Sequence, residues 1–311
     1  MEFTTTLYNV LIMFFYMIPA FILLKSGQAE AAHAKTVSAI LLYISFSAMI
    51  INSFQTMEFS WTLMGYICLF FIVTLILMVI SIVILYLVFK KKYHEPKYRI
   101  LTIASVLGNV GFFGTPLISG LYPNSPIVVC YSSIYSITVT MIGFTVGVYA
   151  LTTDKHYMSP FSALYNQCTI SFVIGVILYL AEWHFPKLLG DAVSLLSKMS
   201  TPLCMNLLGM RLASVNMLDL FRRPFVYITC IFKLFIFPLF CYLLVYFIPF
   251  LDEEFKSSIF ILSGTPCASC ILSLAELHNT EQELSANVLL VTTIVCIITL
   301  PILTIILNAA I

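Results

Sequence analysis

Ten long apolar runs divide the sequence and leave almost no chain for a globular domain. They fall at about 7–25, 36–54, 62–89, 98–122, 126–151, 163–181, 190–212, 224–250, 257–278 and 284–308. Each approaches the roughly 20 apolar residues that a helix needs to cross the hydrocarbon core of a bilayer. The runs lack the polar/apolar alternation that marks barrel strands. The sequence therefore predicts an all-α integral membrane protein with ten transmembrane spans.

The composition excludes the main alternatives. Apolar residues make up 61% of the 311 and charged residues only 9%, whereas soluble domains carry about 25% charged residues. A soluble fold is therefore excluded, and a net charge of +1 gives no support to nucleic-acid binding. All nine cysteines fall within the runs, which implies no disulfide framework. The histidines lie in connections or at the ends of runs, so no metal site and no cofactor are predicted.

Basic residues in the connections are shared unequally between the two sides of the predicted bundle. Three lie on one side, namely Lys187, Lys198 and Lys256. Eleven lie on the other side: Lys25, Lys35, Lys90, Lys91, Lys92, Lys97, Arg99, Lys155, Arg211, Arg222 and Arg223. Cytoplasmic loops carry the excess of Lys and Arg. This distribution predicts that both termini lie outside, as an even number of spans requires.

A repeated tripeptide relates the two halves of the chain. Gly114-Thr115-Pro116 in span 4 recurs as Gly264-Thr265-Pro266 in span 9, an offset of 150 residues. Spans 4 and 9 are each the fourth in a group of five, and the second group must run in the opposite direction because five is odd. Inverted repeats with helices interrupted at corresponding positions indicate the binding site of a secondary transporter. We therefore predict two inverted five-helix repeats, residues 1–155 and 156–311.

Threonine followed by proline indicates how spans 4 and 9 are interrupted. Proline breaks a helix interior, and such a break is tolerated at membrane depth only where it lines protein or water. Threonine is a good N-cap and proline is favoured at the first helical position. Thr115-Pro116 and Thr265-Pro266 are therefore each predicted to start a half-helix, whose partial charge of about +0.5 would attract an anion. The competing interpretation is an ordinary proline kink.

Further polar or small residues near the breaks complete the predicted site. Asn109 is expected to face the cavity, where it either binds substrate or pairs with freed carbonyls, and Ala268 and Ser269 follow the second break. Lys233 lies near the middle of span 8; it either helps to hold an anion, changes partner during transport, or snorkels to the headgroups. Glu276 is interpreted as an interfacial or gate-side carboxylate rather than a proton-coupling site. No Asp or Glu lies at the crossover, so a carboxylate-based sodium site is not supported.

These segments resemble the auxin efflux carrier family, whose bacterial members are often called malate permeases. The resemblance rests on residues 108–117, on Lys233-Leu234 with Pro238, and on Ala275-Glu276 followed by Thr292-Thr293 and Leu300-Pro301. It implies two inverted five-helix repeats in which helices 4 and 9 are broken and cross, and a distant relationship to bile acid–sodium symporters. It also implies an elevator-like motion of spans 3–5 and 8–10 against a scaffold of spans 1, 2, 6 and 7. The central loop of plant auxin exporters is missing, which favours a prokaryotic-type plasma membrane protein.

The leading hypothesis is a secondary transporter of a small organic carboxylate, with malate-like dicarboxylates ahead of auxin-like indole acids. Its partners would be the organic anion and the lipid bilayer; a homodimer and coupling to a proton or to sodium stay open. One alternative is a receptor module that binds a ligand without flux, and another is a sodium-coupled organic anion symporter. An enzyme is not predicted, because no paired nucleophile and base occur at one depth of the membrane.

Overall fold

The computed structural model describes residues 3–159, 165, 167–214, 223–278 and 280–310, and it forms helices without strands over these ranges. We number the helices in chain order. They are α1 Phe3–Lys25, α2 His33–Gln55, α3 Trp61–Phe89, α4 Pro96–Ala104, α5 Val110–Leu121, α6 Ile127–Thr152, α7 Gln167–Leu180, α8 Lys187–Lys198, α9 Ser200–Ala213, α10 Pro224–Tyr246, α11 Glu253–Ser263, α12 Ser269–Leu277 and α13 Gln282–Ala310.

Six of these helices, within the described ranges, are long and apolar enough to cross a membrane: α1, α2, α3, α6, α10 and α13. The predicted spans 4, 7 and 9 are each divided into two shorter helices, namely α4 with α5, α8 with α9, and α11 with α12. α7 is also apolar, and it begins beside residues outside the described part. The chain is therefore an all-helical, multi-pass membrane protein.

One face of α3 shows what surrounds the bundle. It exposes a continuous set of large apolar side chains: Ile72, Ile76, Val79, Ile80, Val83, Ile84, Leu87 and Val88. A patch of this size is unfavourable in water and natural against acyl chains, because lipid is as apolar as the side chains themselves. This exposed apolar face of α3 is therefore suited to contact lipid.

Short π-helical turns interrupt several of the helices. They lie at Leu41–Phe46 in α2, Val110–Gly114 in α5, Gly143–Gly147 in α6 and Phe232–Ile236 in α10. The turns in α5 and α10 come directly before Pro116 and Pro238, each of which lacks the N–H that an α-helix would use. A wider turn therefore accommodates each proline without ending the helix, and π-bulges of this kind often mark functional sites.

The helices pack in two groups that share a boundary. In the first group α1 packs along α9, and α2 packs along α7 and α8. In the second group α10 packs against α11 and α13, and α3 against α6. Contacts of α1 with α5 and α13, and of α2 with α6, join the groups. The interrupted helices α4, α5, α11 and α12 meet within the second group.

Candidate functional site

Two extended segments cross where spans 4 and 9 are interrupted. The first follows α4 and the second follows α11, and Gly108 and Cys267 form an antiparallel bridge between them. The Asn109 N–H donates to the Pro266 carbonyl oxygen at 2.7 Å, and the Ala268 N–H donates to the Leu107 carbonyl oxygen at 2.9 Å. Spans 4 and 9 are thus broken and cross, as predicted, and each break satisfies backbone groups of the other. We call residues 105–109 and 264–268 the crossover.

The helix that contains Thr115-Pro116 begins earlier than predicted. α5 begins at Val110, directly after Asn109, with a π-helical turn, and its regular α-helical part starts at Thr115 with Pro116 in the first turn. The Thr115 hydroxyl donates backwards to the Val110 carbonyl oxygen at 3.1 Å and caps nothing. The physical reason is the π-helical turn at Val110–Gly114, which absorbs the missing N–H of Pro116. The actual break in span 4 therefore lies earlier, and Asn109 takes the N-cap position.

Thr265 and Pro266 do lie in the break of span 9, but Thr265 is not an N-cap either. Its hydroxyl donates to the Leu262 carbonyl oxygen at 2.6 Å, which closes the end of α11, and the next half-helix begins only at Ser269. The bridge pairs Gly108 with Cys267, which are 159 residues apart (267 − 108), whereas the two tripeptides are 150 residues apart. The two Gly-Thr-Pro tripeptides are therefore not in equivalent places.

Two glycines of span 4 hold the side chain of Thr265. A Cβ placed on Gly108 would lie 2.5 Å from Thr265 Oγ1, and one placed on Gly114 would lie 3.0 Å from Thr265 Cγ2. Thr265 is fully buried between them. The predicted small residues at the break thus allow close approach of the two segments, and Gly114 packs against Thr265 and Leu262.

Asn109 is one of two buried side chains of the crossover that lack a hydrogen-bond partner among the described residues, and the Ser105 hydroxyl is the other. The Asn109 side chain is only 3% exposed, and its Nδ2 has no hydrogen-bond partner among the described residues. Its backbone carbonyl accepts from the N–H groups of Phe113 and Gly114, so it stands at the start of α5. A buried amide without a partner is costly and calls for an explanation. A bound group that accepts a hydrogen bond at this position would supply one.

Lys233 reaches the crossover from α10. It is fully buried, and its Nζ donates to the carbonyl oxygens of Ser263 at 2.8 Å and Val106 at 3.4 Å. Nζ also lies 4.8 Å from the centre of the Phe237 ring. Its side chain therefore does not snorkel to the headgroups in this structure. It joins the carboxyl-terminal end of α11 to the break that follows α4.

A family model described as "Membrane transport protein" matches residues 5–159 and 152–304. The chain belongs to this family, the auxin efflux carriers. The resemblance that the sequence suggested is thereby confirmed. A search of curated proteins gave no match. The family is one of transporters rather than enzymes, so this carrier acts on a small molecule across a bilayer.

The remaining predicted residues of the carrier lie in α5 or at the second half-helix, α12. Pro116 is buried in α5; Ala268 and Ser269 are buried at the start of α12. Glu276 belongs to the same helix, and its side chain lies outside the described part of the structure. Among the residues described, no group of three His, Cys, Asp or Glu could hold a metal ion.

Thr292 of α13 supports the second break of the carrier, a role that the sequence did not indicate. Its hydroxyl accepts from the Cys267 N–H at 3.0 Å and donates to the Val288 carbonyl oxygen at 2.7 Å. One turn earlier Asn287 is 6% exposed, and its Nδ2 has no partner within the described part of the chain. Thr292 belonged to the Thr292-Thr293 motif of the family resemblance, which assigned it no role, and the signal for Asn287 was an amide in an otherwise apolar run.

A cavity lined by both polar and apolar side chains opens beside α5. One lobe has a volume of about 560 Å³ between α2, α6, the 122–126 connection and the junction of α8 with α9. A second lobe of about 270 Å³ extends to α1 and to Pro116, and both lobes are lined by Ser119, Lys198 and Thr201. We call the two lobes together the vestibule. Lys198 was predicted to lie in a connection, whereas it is the last residue of α8.

Proposed function

We propose that the protein is a secondary transporter of a small organic carboxylate, which binds at the crossover and moves by alternating access. The observation that carries the proposal is the buried Asn109 side chain, whose Nδ2 lacks a partner among the described residues at the start of α5. A carboxylate would accept the hydrogen bond that this amide offers. The first N–H groups of α5 and α12 add unpaired donors and a partial positive charge.

The absence of competing acids favours an anion as substrate. No Asp or Glu occurs in residues 105–109 or 264–269. Ser269 begins α12 and would supply a hydroxyl to the same ligand, as Asn109 supplies an amide. Transporters of this general design direct half-helix amino-termini at anionic substrate groups near the middle of the bilayer.

The proposed topology has ten spans in two inverted repeats. Spans 4, 7 and 9 are each formed by a pair of short helices, and the two breaks at the crossover pair in antiparallel fashion, as an inverted repeat requires. The junction of the two family matches, at 152–159, falls where the repeats 1–155 and 156–311 are proposed to meet. The excess of basic residues on one side then puts both termini outside the cell, in a prokaryotic-type plasma membrane.

The two packing groups support an elevator-like motion. α1, α2, α7, α8 and α9 form the proposed scaffold, and the crossover belongs to the other group. The vestibule lies along the boundary between the groups, since α1, α2 and α9 line it on one side and α5 and α6 on the other. A substrate at this boundary would gain access to one side or the other as the groups slide past each other.

We further propose that transport does not need sodium. Carbonyl oxygens at a carboxyl-terminal helix end are ligands that a cation prefers, and here Lys233 Nζ already donates to the carbonyls of Ser263 and Val106. The Lys233 ammonium would take the place of a bound cation at these carbonyl oxygens. A sodium-coupled symporter is the alternative, and equal uptake with sodium or choline as the bulk cation would exclude it.

The test is uptake of labelled malate, succinate, acetate and indole-3-acetate into proteoliposomes. We expect flux of at least one of them by the wild type and none by Asn109→Ala, with both proteins melting at similar temperatures in detergent. Binding of a carboxylate without flux in sealed vesicles would favour the receptor alternative. Normal flux by Asn109→Ala would show that the crossover amide does not hold the substrate.

We favour dicarboxylates over indole acids because the vestibule offers hydroxyl, amide and ammonium groups beside its apolar residues. Hydroxyl and amide side chains line its larger lobe at Asn52, Ser53, Thr56, Asn124 and Ser125. An indole ring would lose its favourable apolar environment there, whereas a second carboxylate would keep polar partners. Competition of unlabelled succinate and indole-3-acetate against labelled malate tests this preference, and stronger inhibition by indole-3-acetate would reverse it.

A further inference from the structure

Lys198 lies far from the polar ends of its span. α8 begins at Lys187, so Lys198 stands eleven residues along it, about 16 Å at the helical rise of 1.5 Å per residue. α8 packs against both the π-helical turn of α2 and its outer segment Ser47–Gln55. Lys198 is exposed at the end of α8, where it lines the wall of the vestibule. An exposed ammonium on a cavity wall can reach a ligand inside the cavity.

The surroundings of Lys198 fit an anion. Both lobes of the vestibule are lined by Lys198, and no Asp or Glu is among the lining residues of either lobe. Lys198 makes no salt bridge within the part of the chain that the structure describes. Its neighbours along the wall carry hydroxyl and amide groups, including Asn9, Asn52 and Thr201. Glu254 accepts a hydrogen bond from Ser125 at the edge of the larger lobe, at 2.7 Å. Lys198 lines both lobes, and its positive charge raises the local concentration of anions beside it.

The vestibule and the crossover are separate places along α5. Ser119 lines both lobes with Lys198 and follows Asn109 by ten residues, roughly 15 Å along the helix axis. A four-carbon diacid is much shorter than this distance. One such molecule therefore cannot fill both places at once.

We propose that Lys198 forms an anion-binding site in the vestibule, where it holds a carboxylate of the substrate before the substrate reaches the crossover. This inference rests on the proposed function, because it assumes a small organic anion as substrate. The ligand class is a mono- or dicarboxylate, bound through the Lys198 ammonium and the hydroxyl and amide groups beside it. This site captures the substrate from the vestibule, and the crossover then transfers it.

The first experiment measures malate uptake into proteoliposomes by wild type, Lys198→Met, Lys198→Arg and Lys187→Met. We expect Lys198→Met to raise KM about tenfold or more with a nearly unchanged maximal rate, because one charge-assisted hydrogen bond is lost. Lys198→Arg should stay close to wild type. Lys187→Met, at the opposite end of the same helix, is the matched control and should not change KM. An unchanged KM for Lys198→Met would overturn the proposal.

A second measurement separates this site from the transport proposal. Wild-type protein in sealed vesicles is treated with a membrane-impermeant amine acetylating reagent, with and without malate, and acetylation of Lys198 and Lys187 is quantified by mass spectrometry. We expect malate to protect Lys198 and not Lys187, even if flux proves absent or Lys198→Met fails to fold. Equal acetylation of Lys198 with and without malate, succinate or acetate would rule out the site while leaving transport through the crossover untouched.

Discussion

Gly108 and Thr265 approach each other closely in the crossover, so substitutions at these two residues test its packing directly. A Cβ added at Gly108 would lie 2.5 Å from Thr265 Oγ1, about 0.9 Å inside the 3.4 Å at which ordinary contact begins. Thr265 cannot turn away easily, because its hydroxyl is bonded to the Leu262 carbonyl oxygen at 2.6 Å and its methyl group faces Gly114. Overpacking of this kind costs about 1–3 kcal/mol. Gly108→Ala should therefore lower the free energy of unfolding by that amount.

A double-mutant cycle isolates the contact. Thr265→Ala removes Oγ1, so the next neighbours of the added Cβ are Lys233 Nζ at 3.2 Å and the Leu262 carbonyl oxygen at 3.3 Å. Thr265→Ala alone should cost about 0.5–1.5 kcal/mol for its lost hydrogen bond. The pair Gly108→Ala and Thr265→Ala should be more stable than the two single effects added together, by about 1–2 kcal/mol.

Two matched variants make the cycle specific. Thr265→Val keeps the branched shape and replaces Oγ1 with a methyl group, so it should not rescue Gly108→Ala. Gly65→Ala on α3 meets no atom within 4 Å and should change stability by less than about 0.5 kcal/mol. The assay is thermal or denaturant unfolding in detergent. Additive single effects, or wild-type stability of Gly108→Ala, would refute the close crossing of the two breaks.

The same geometry makes further predictions. Lys233→Met should abolish uptake and lower the melting temperature by several degrees, because the carbonyls of Ser263 and Val106 lose their donor. The control is Lys256→Met, which should change neither, because Lys256 Nζ bonds only the exposed Tyr246 carbonyl. Equal melting temperatures of the two variants would contradict this prediction. Thr292→Val should cost about 1–3 kcal/mol, because the buried Cys267 N–H loses its acceptor. The neighbouring Thr293→Val loses only a bond within α13 and should cost less, as unfolding measurements on the two variants would show.

The sequence indicated the class of fold and the place of the site, because apolar length and broken spans are properties of the chain itself. It could not locate the first break. Proline at position 116 was taken as the start of a half-helix, yet a π-helical turn accommodates it and the break occurs before Asn109. Whether a helix widens or breaks before proline depends on neighbouring helices, which composition does not reveal. The repeated tripeptide thus pointed to the correct spans through positions that are not equivalent.

Lys233 and Lys198 show what could and could not be predicted from the sequence. Lys233 was recognised from its depth, and its partners became clear only when Ser263 and Val106 came together from distant parts of the chain. Lys198 was inside the predicted span 190–212 and was still counted as a loop residue. Its position within a run of apolar residues was the available signal, and only the packing of α8 against α2 showed a cavity there.

The most direct test of the account is carboxylate binding by Asn109→Asp. This change is nearly isosteric, and it puts a negative charge at the start of α5, where the partial positive charge of the helix stabilises it. We expect a fold as stable as the wild type. In the Lys198→Met background, which removes the proposed vestibule site, Asn109→Asp should lose malate, succinate and acetate binding completely by calorimetry in detergent, because the new carboxylate takes the place of the substrate's own. Unchanged affinity for these anions in a stable Asn109→Asp protein of that background would contradict the claim that the substrate binds at the crossover.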